Sequence, residues 1–283
     1  MTYRDKYLEL LKINNPYINN TVIKTILMDD GGFKDFTDLI VHFHDEIKNN
    51  ERIDSVLNRI MEGEPMQYVL GYSYFVNSNY IVTPDVLIPR QETEQLAVAC
   101  LVKITKLFPN KKDLVIADIG TGSGILAIYL KECFPDAHVI ATDISEKALQ
   151  IAKINAEKHK VDIDFRLGNI LEPIKEKLDV IVSNPPYIDG PKTVSEQTLK
   201  YEPHLALFAS PSTKYYREIL SNLQLMKDEF MIAFEIGEDM KQELTDLLED
   251  EYHGIGYTFD QDIYGKTRFL YIMKKKEYQK YDK

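Results

Sequence analysis

The sequence lacks the features that membrane proteins, secreted proteins and metal-binding proteins usually have. No apolar stretch approaches the about 18–20 residues of a membrane-spanning helix. The opening stretch, MTYRDKYLELLKINNP, carries charges but no apolar signal region, so we do not expect secretion. The two cysteines, Cys100 and Cys133, do not have the spacing of metal ligands, and we expect reduced thiols. These absences predict a cytoplasmic protein with no metal site and no membrane partner.

The sequence also lacks an excess of basic residues, since its formal net charge at pH 7 is −11. Long nucleic acids are held mainly through neutralisation of their phosphates by lysine and arginine. A direct nucleic-acid partner is therefore not expected. The one visible basic stretch is the lysine-rich end, KKKEYQKYDK, which we interpret as a solvated tail.

The chain changes character twice, which predicts three segments. Residues 1–64 carry apolar residues at three- and four-residue spacing between Asn, Gly and Asp, as in a small helical bundle. Residues 65–90 are rich in Tyr, Phe, Val and Ile around the turn sequence VNSN, which predicts a β-hairpin linker. Residues 91–283 form the remaining domain, which begins with a predicted helix over 92–108.

Strands and helices alternate from residue 114 onward. Apolar strands are predicted in LVIADIG, HVIAT, VDIDFRLG and LDVIVSN, and FMIAFEIG is predicted as a strand between helices over 213–229 and 238–251. This alternation is typical of a mostly parallel sheet covered on both faces. The last two strands, GIGYTFDQD and TRFLYIMK, are joined by IYGK, which is too short for a crossover helix. We therefore predict an α/β, Rossmann-like mixed sheet with an antiparallel last strand, plus the N-terminal helical bundle.

A glycine loop and a later acid indicate a cofactor site. DIGTGSG closes the first strand of the sheet with Gly120, Gly122 and Gly124, and Asp143 ends the second strand. Glycines let a ligand approach the backbone closely, and a carboxylate at that strand tip accepts ribose hydroxyls. A dinucleotide fingerprint would need glycine at position 125, where this chain has Ile125. S-adenosylmethionine (SAM), which has no phosphates, suits the loop better.

The sequence NPPY follows the fourth strand and indicates the acceptor chemistry. Asn184 is expected at the carboxyl tip of that strand, on the ligand side of the sheet. A carboxamide or an aromatic exocyclic amine attacks a methyl sulfonium poorly, because its lone pair is delocalised, so orientation is what helps it. Asn184 offers a side-chain carbonyl and Pro185 a backbone carbonyl on a frame that Pro186 stiffens further. Tyr187 offers a flat face for a planar substrate group.

NPPY together with DIGTGSG resembles the amino-group methyltransferases of the class I SAM fold. These include adenine-N6 DNA methyltransferases and the glutamine-N5 methyltransferases of peptide chain release factors, the HemK family. Four more segments resemble the second group along essentially the whole chain: LIPRQETE, with Gln91 where proline is usual, then YEPHLALFA, FEIG and IYGKTRF.

The resemblance implies a SAM-dependent enzyme, which we expect to be a cytoplasmic monomer. Such an enzyme methylates the N5 amide of the glutamine in the Gly-Gly-Gln motif of release factors, which its helical domain grips. Gly120 to Gly124 would contact the methionine part of SAM, Asp143 the ribose and Asn169 the adenine side. The implied cofactor contacts are Gly120, Thr121, Gly122, Ser123, Gly124, Asp143, Asn169 and Asn184. The implied catalytic residues are Asn184, Pro185, Pro186 and Tyr187.

Two other functions remain as alternatives at this point. An adenine-N6 methyltransferase acting on nucleic acid would use the same NPPY loop, but it would be expected to carry a basic target-reading domain. A non-catalytic binding module with the SAM fold would be expected to have a damaged glycine loop or a replaced Asn184, and the sequence has neither.

Three flanking residues have open roles. Arg90 either links the predicted hairpin to the SAM site or pairs with Glu92 or Glu94. Tyr201 and Glu202 either shape the substrate pocket or cap a loop.

Overall fold

A computed structural model describes residues 1–274 and divides them into two compact units, the first spanning Met1–Gly71 and the second beginning at Tyr72. Within the described part of the chain, no helix is both long and apolar enough to cross a bilayer. Residues 275–283, and with them nearly all of the lysine-rich end, lie outside the described residues.

The first unit is helical. Its helices are α1 (Tyr3–Leu10), α2 (Asn20–Gly31), α3 (Phe36–Val41), α4 (Asn50–Met61) and α5 (Met66–Leu70). The first four begin where a polar side chain accepts a hydrogen bond from a backbone N–H of the first turn; these caps are Thr2, Asn19, Asp35 and Asn49. Their apolar faces bury a core that includes Tyr3, Leu27, Leu39 and Ile60. The predicted helical character of residues 1–64 is confirmed.

The predicted hairpin linker of residues 65–90 is shorter in the structure. Residues Met66–Leu70 form α5, which contacts α4 and ends at Gly71 in a left-handed conformation. The first unit therefore extends to Gly71. The hairpin itself consists of β1 (Tyr72–Phe75) and β2 (Ser78–Ile81), which pair antiparallel. Aromatic and β-branched composition suggested strand throughout, but packing on the bundle favoured helix before Gly71.

The second unit contains the predicted alternation of strands and helices. After the hairpin its elements are α6 (Gln91–Leu107), β3 (Val115–Ile119), α7 (Ile125–Cys133), β4 (His138–Asp143), α8 (Glu146–His159), β5 (Asp164–Leu167), β6 (Leu178–Ser183), α9 (Glu196–Tyr201), α10 (Lys214–Leu220), β7 (Met226–Glu235), α11 (Lys241–Glu251), β8 (Gly256–Gln261) and β9 (Thr267–Lys274).

Seven of these strands form one mixed sheet in the order β5-β4-β3-β6-β7-β9-β8. The strands from β3 to β7 pair parallel, whereas β9 pairs antiparallel with both β7 and β8. Apolar side chains cover both faces: α6, α7 and α8 pack on one, and α10 and α11 on the other. The predicted mixed sheet with antiparallel pairing at its end is confirmed.

The helix predicted over 213–229 is wrong in its second half. The α10 helix ends at Leu220, and β7 already begins at Met226, which pairs with Leu178 of β6. The apolar spacing of the segment fits a helix, but pairing with the neighbouring strand overrides that local preference.

The strand order reverses between β3 and β6. The chain passes from β3 outward through β4 and β5, then returns to the other side of β3 with β6. Ser183 of β6 pairs with Ile119 of β3 on one side and Phe234 of β7 on the other. The next residues, Gly120, Asn184 and Glu235, therefore follow in one row at the carboxyl edge. Ligands of open α/β sheets bind at such a reversal.

Candidate active site

The glycine loop leaves β3 with its backbone open to the reversal point. Gly120 and Gly122 have φ values of +72° and +55°, a region that L-residues with side chains rarely adopt. A Cβ built on either would meet no described atom within 4 Å. The open space lies where a ligand would approach the loop, so the backbone forms a cradle that side chains do not fill.

Asp143, at the end of β4, is joined to the glycine loop. Its Oδ2 accepts a 2.9 Å hydrogen bond from the N–H of Gly122, and its Oδ1 accepts one of 2.8 Å from the N–H of Ser145. Burial raises the pKa of this carboxyl, and the backbone hydrogen bonds oppose that rise. A carboxylate has about four acceptor positions. The carboxylate thus keeps acceptor capacity for a ligand hydroxyl.

Asp118, the first residue of DIGTGSG, supports the loop from beneath. Its Oδ2 accepts hydrogen bonds from the Thr121 hydroxyl at 2.6 Å and the Ala127 N–H at 3.1 Å. The side chain is 1% exposed, and burial raises the pKa of Asp118 to about 7. The predicted cofactor contacts Thr121 and Ser123 are themselves buried, at 5% and 3% exposed.

A cavity of about 930 Å³, open mouth included, lies at the strand reversal. Apolar side chains, among them Ile144, Ile170 and Leu205, form much of its wall. The predicted site residues that line it are Gly120, Gly122, Asp143, Asn169, Asn184, Pro185 and Pro186. The predicted cofactor contacts Thr121, Ser123 and Gly124 are not among the described residues that line the cavity.

A second cavity of about 740 Å³, open mouth included, also borders the NPPY loop. Tyr187, Glu235 and Arg90 line it, and it shares Asn184 and both prolines with the first cavity. Asn184, Pro185 and Pro186 therefore belong to the walls of both cavities. This arrangement suits a transfer between two bound molecules that meet at Asn184.

Two residues with no role predicted from the sequence hold Asn184. Its Nδ2 donates a 3.1 Å hydrogen bond to the hydroxyl of Thr93, on α6. That hydroxyl lies 2.7 Å from Oε2 of Glu235, the last residue of β7, and the Tyr187 hydroxyl lies 3.5 Å from Oε1. Burial raises the pKa of Glu235 to about 7. Thr93 and Glu235 belong to the quoted segments LIPRQETE and FEIG, which were the only sequence signal for them.

Arg90 pairs with neither Glu92 nor Glu94, contrary to one of the sequence alternatives. Its Nη2 lies 2.6 Å from Oε1 of Glu202, and the other oxygen of Glu202 accepts a 3.2 Å bond from the N–H of Ile88. The Glu202 carboxylate is nearly buried, with 3% of its side chain exposed. The pair joins the LIPRQETE and YEPHLALFA segments beside the second cavity.

Asn155 of α8 connects the hairpin with the glycine loop. Its side chain exchanges hydrogen bonds with the backbone of Ile81, at 2.7 Å from the N–H and 2.9 Å to the carbonyl, and donates to the carbonyl of Ser123 at 2.9 Å. It is fully buried. Sequence reasoning missed this residue, since an asparagine inside a helix gives no signal of its distant partners.

Comparison with known proteins gives consistent results. Residues 98–202 match the family described as Methyltransferase small domain. A release factor glutamine methyltransferase from Staphylococcus aureus is 37% identical over 243 residues, which cover 83% of this chain and 85% of that protein. One from Flavobacterium psychrophilum is 39% identical and covers 77% and 79%.

A solved structure described as the delta-N METTL16 MTase domain shares the fold. It superposes with a TM-score of 0.52 at 14% identity, over 69% of this chain and 87% of that one. With the observed strand order, this likeness confirms the predicted class I SAM-methyltransferase fold.

Proposed function

The chain belongs to the release factor glutamine methyltransferase family, and we propose that it methylates the side-chain amide nitrogen, N5, of the glutamine in the Gly-Gly-Gln motif of peptide chain release factors. The observation that carries the proposal is the position of the NPPY loop, since Asn184 and both prolines line two adjoining cavities. The first cavity suits SAM and the second suits the glutamine side chain.

The residues of the first cavity fit SAM. The uncovered backbone of Gly120 and Gly122 accommodates the methionine part, and the remaining acceptor capacity of Asp143 suits the ribose. Asn169 and Ile170 line the same cavity and provide an amide and an apolar side chain for the adenine. When bound, SAM supplies a methyl group on a positively charged sulfur, which keeps the electrons of the C–S bond when the methyl leaves.

The residues that both cavities share orient the methyl acceptor. An amide nitrogen is a weak nucleophile, so holding it in line is the main contribution that the protein makes. The Asn184 side-chain carbonyl and the Pro185 backbone carbonyl accept its two N–H groups, and Tyr187 flanks the plane of the amide. The nitrogen forms the new N–C bond and releases one proton to solvent, so atoms and charge balance.

The helical unit is the proposed grip on the release factor. It exposes apolar side chains, including Val41 at 73% and Ile40 at 48%. These side chains are available for contact with a protein partner. We expect Val41→Asp to raise the KM for the release factor while the Kd for SAM stays unchanged. The proposed enzyme acts as a cytoplasmic monomer without a direct nucleic-acid partner.

The function is tested by methyl transfer from labelled SAM to purified release factors, with DNA and RNA as parallel acceptors. We expect label in the release factor, and none in a release factor whose motif glutamine is replaced. Label in nucleic acid but not in protein would support the adenine-N6 alternative and reject this function.

Asn184→Ala tests the orienting step. We expect transfer to fall by about 100-fold, the scale of a lost alignment, while SAM binding is largely kept. The matched control is Asn79→Ala, which removes the amide of an exposed asparagine in the hairpin. Unchanged turnover of the Asn184 variant would refute the orienting role.

A further inference from the structure

The hydroxyl of Thr93 lies between two groups at the centre of the site. It is 2.7 Å from Oε2 of Glu235 and 3.1 Å from Nδ2 of Asn184. Thr93 and Glu235 are buried, at 3% and 2% exposed, whereas Asn184 lines both cavities. In a buried hydrogen-bonded chain of this kind, the direction of one bond determines the direction of the next. The ionisation of Glu235 therefore affects the orientation of Asn184.

The direction of each hydrogen bond in this chain follows from the number of protons that the groups can donate. An ionised carboxylate only accepts, and a threonine hydroxyl has a single proton. Thr93 must therefore donate that proton to Glu235, which leaves only lone pairs facing Asn184. Asn184 can satisfy them only with its NH₂ group. The side-chain carbonyl of Asn184 is then turned away from Thr93 and is free for an acceptor molecule.

We propose that Thr93 and Glu235 are positioning residues that set the orientation of the Asn184 amide and so present its carbonyl to the substrate nitrogen. The inference rests on the proposed function, because it gives that carbonyl its task. The reverse orientation would present the NH₂ group of Asn184 to the NH₂ group of the glutamine. Two hydrogen-bond donors would then face each other, and the glutamine amide of the substrate would be repelled.

The orientation depends on the ionisation of Glu235. Burial raises the pKa of Glu235 to about 7, the hydrogen bond from Thr93 lowers it, and the charges of Glu92, Arg268 and Arg90 act on it from farther away. Two tyrosines also approach this residue: Tyr187 lies 3.5 Å from Oε1, and Tyr216 donates to the backbone carbonyl at 2.8 Å.

Protonation of Glu235 reverses the direction of both hydrogen bonds in the chain. A protonated Glu235 donates to Thr93, and the Thr93 hydroxyl then donates to the Asn184 carbonyl, which turns the amide. We therefore expect kcat to fall as the pH drops through the pKa of Glu235.

Two variants of Thr93 distinguish the role of its hydroxyl from the role of its side-chain shape. Thr93→Val keeps the shape and removes the hydroxyl, and Thr93→Ser keeps the hydroxyl. We expect kcat of the valine variant to fall by about 10- to 100-fold, with the Kd for SAM unchanged, and the serine variant to retain most of its activity. Glu235→Gln should flatten the pH profile of kcat. A valine variant as active as the wild type, or a serine variant as impaired as the valine one, would overturn the inference.

An NMR titration, which needs no methyl transfer, tests this inference independently of the proposed function. The side-chain NH₂ signals of Asn184, assigned by their loss in Asn184→Ala, are followed by ¹H–¹⁵N NMR from about pH 5.5 to 9. We expect them to titrate in the wild type and to stay constant in Glu235→Gln and in Thr93→Val. Constant wild-type signals would overturn the relay even with an active enzyme. Titrating signals in a protein that methylates no release factor would uphold the relay and reject the function.

Discussion

The backbone N–H of Gly122 donates a 2.9 Å hydrogen bond to Oδ2 of Asp143, so the glycine loop and the acid of the next strand form one unit. Asp143→Ala removes this bond and the acceptor capacity left for a ligand. Hydrogen bonds to charged groups contribute about 1.5–3 kcal/mol. We therefore expect the Kd for SAM, measured by calorimetry, to rise by about 10- to 100-fold.

The control for this variant is Asp136→Ala, which removes an exposed carboxylate just before β4. It should leave the Kd for SAM within about twofold of the wild type. An Asp143 variant with equally unchanged affinity would contradict the assigned ribose contact.

Gly124 and Gly71 provide a matched pair for the packing of the loop. Both have nearly the same left-handed conformation, with φ, ψ of 84°, 6° and 81°, 8°. A Cβ on Gly124 would lie 3.1 Å from Cβ of Ala152 in α8, whereas one on Gly71 meets no described atom within 4 Å. Gly71→Ala should lower the free energy of unfolding by about 1–2 kcal/mol, the left-handed penalty alone.

Gly124→Ala adds overpacking to that penalty. We expect its free energy of unfolding, from urea denaturation, to fall by a further amount of about 1–3 kcal/mol relative to Gly71→Ala. Equal losses in the two variants would mean that the loop moves away from α8 without strain.

Local patterns in the sequence were sufficient for the loop, the NPPY segment and the antiparallel end of the sheet. Glycine spacing, the prolines after Asn184 and the short IYGK connection each act within a few residues, where sequence and geometry are directly linked. The same local reasoning failed at Met226, since the pairing of that residue with Leu178 is a property of the assembled sheet.

The support of the site could not be predicted from local patterns. Thr93 and Glu235 are separated by 142 residues along the chain, and Arg90 and Glu202 by 112. Their contacts depend on how α6 packs on β7 and on the path of the loop after β6. The resemblance of the flanking segments to a known family pointed to these residues without giving their partners.

The Arg90–Glu202 ion pair should have a small coupling energy, because one of its two partners is exposed to solvent. The glutamate side chain is 3% exposed but the arginine is 37% exposed, so solvent screens the interaction from one side. We expect Arg90→Ala to lower the free energy of unfolding, and the cycle with Glu202→Gln to give a coupling energy of about 1 kcal/mol. A fully buried pair would give more.

The exposed Arg217–Glu251 pair is the comparison for this cycle, since both side chains are nearly half exposed. Its coupling energy should be about 0.5 kcal/mol or less. A coupling at Arg90 no larger than at Arg217 would show that the buried carboxylate finds another partner when the arginine is removed.

Asp118 predicts a pH dependence of stability. Its pKa is about 7 in the folded protein, against an ordinary value of 3.8, because of burial. Between these values the folded state holds a proton that the unfolded state releases, so this residue makes stability fall as pH rises. Asp118→Asn cannot titrate. Relative to the wild type, its free energy of unfolding should therefore rise by up to about 4 kcal/mol between about pH 4 and pH 8. Urea denaturation across this range measures the difference, and a difference that does not change with pH would mean that Asp118 is ionised throughout in the folded protein.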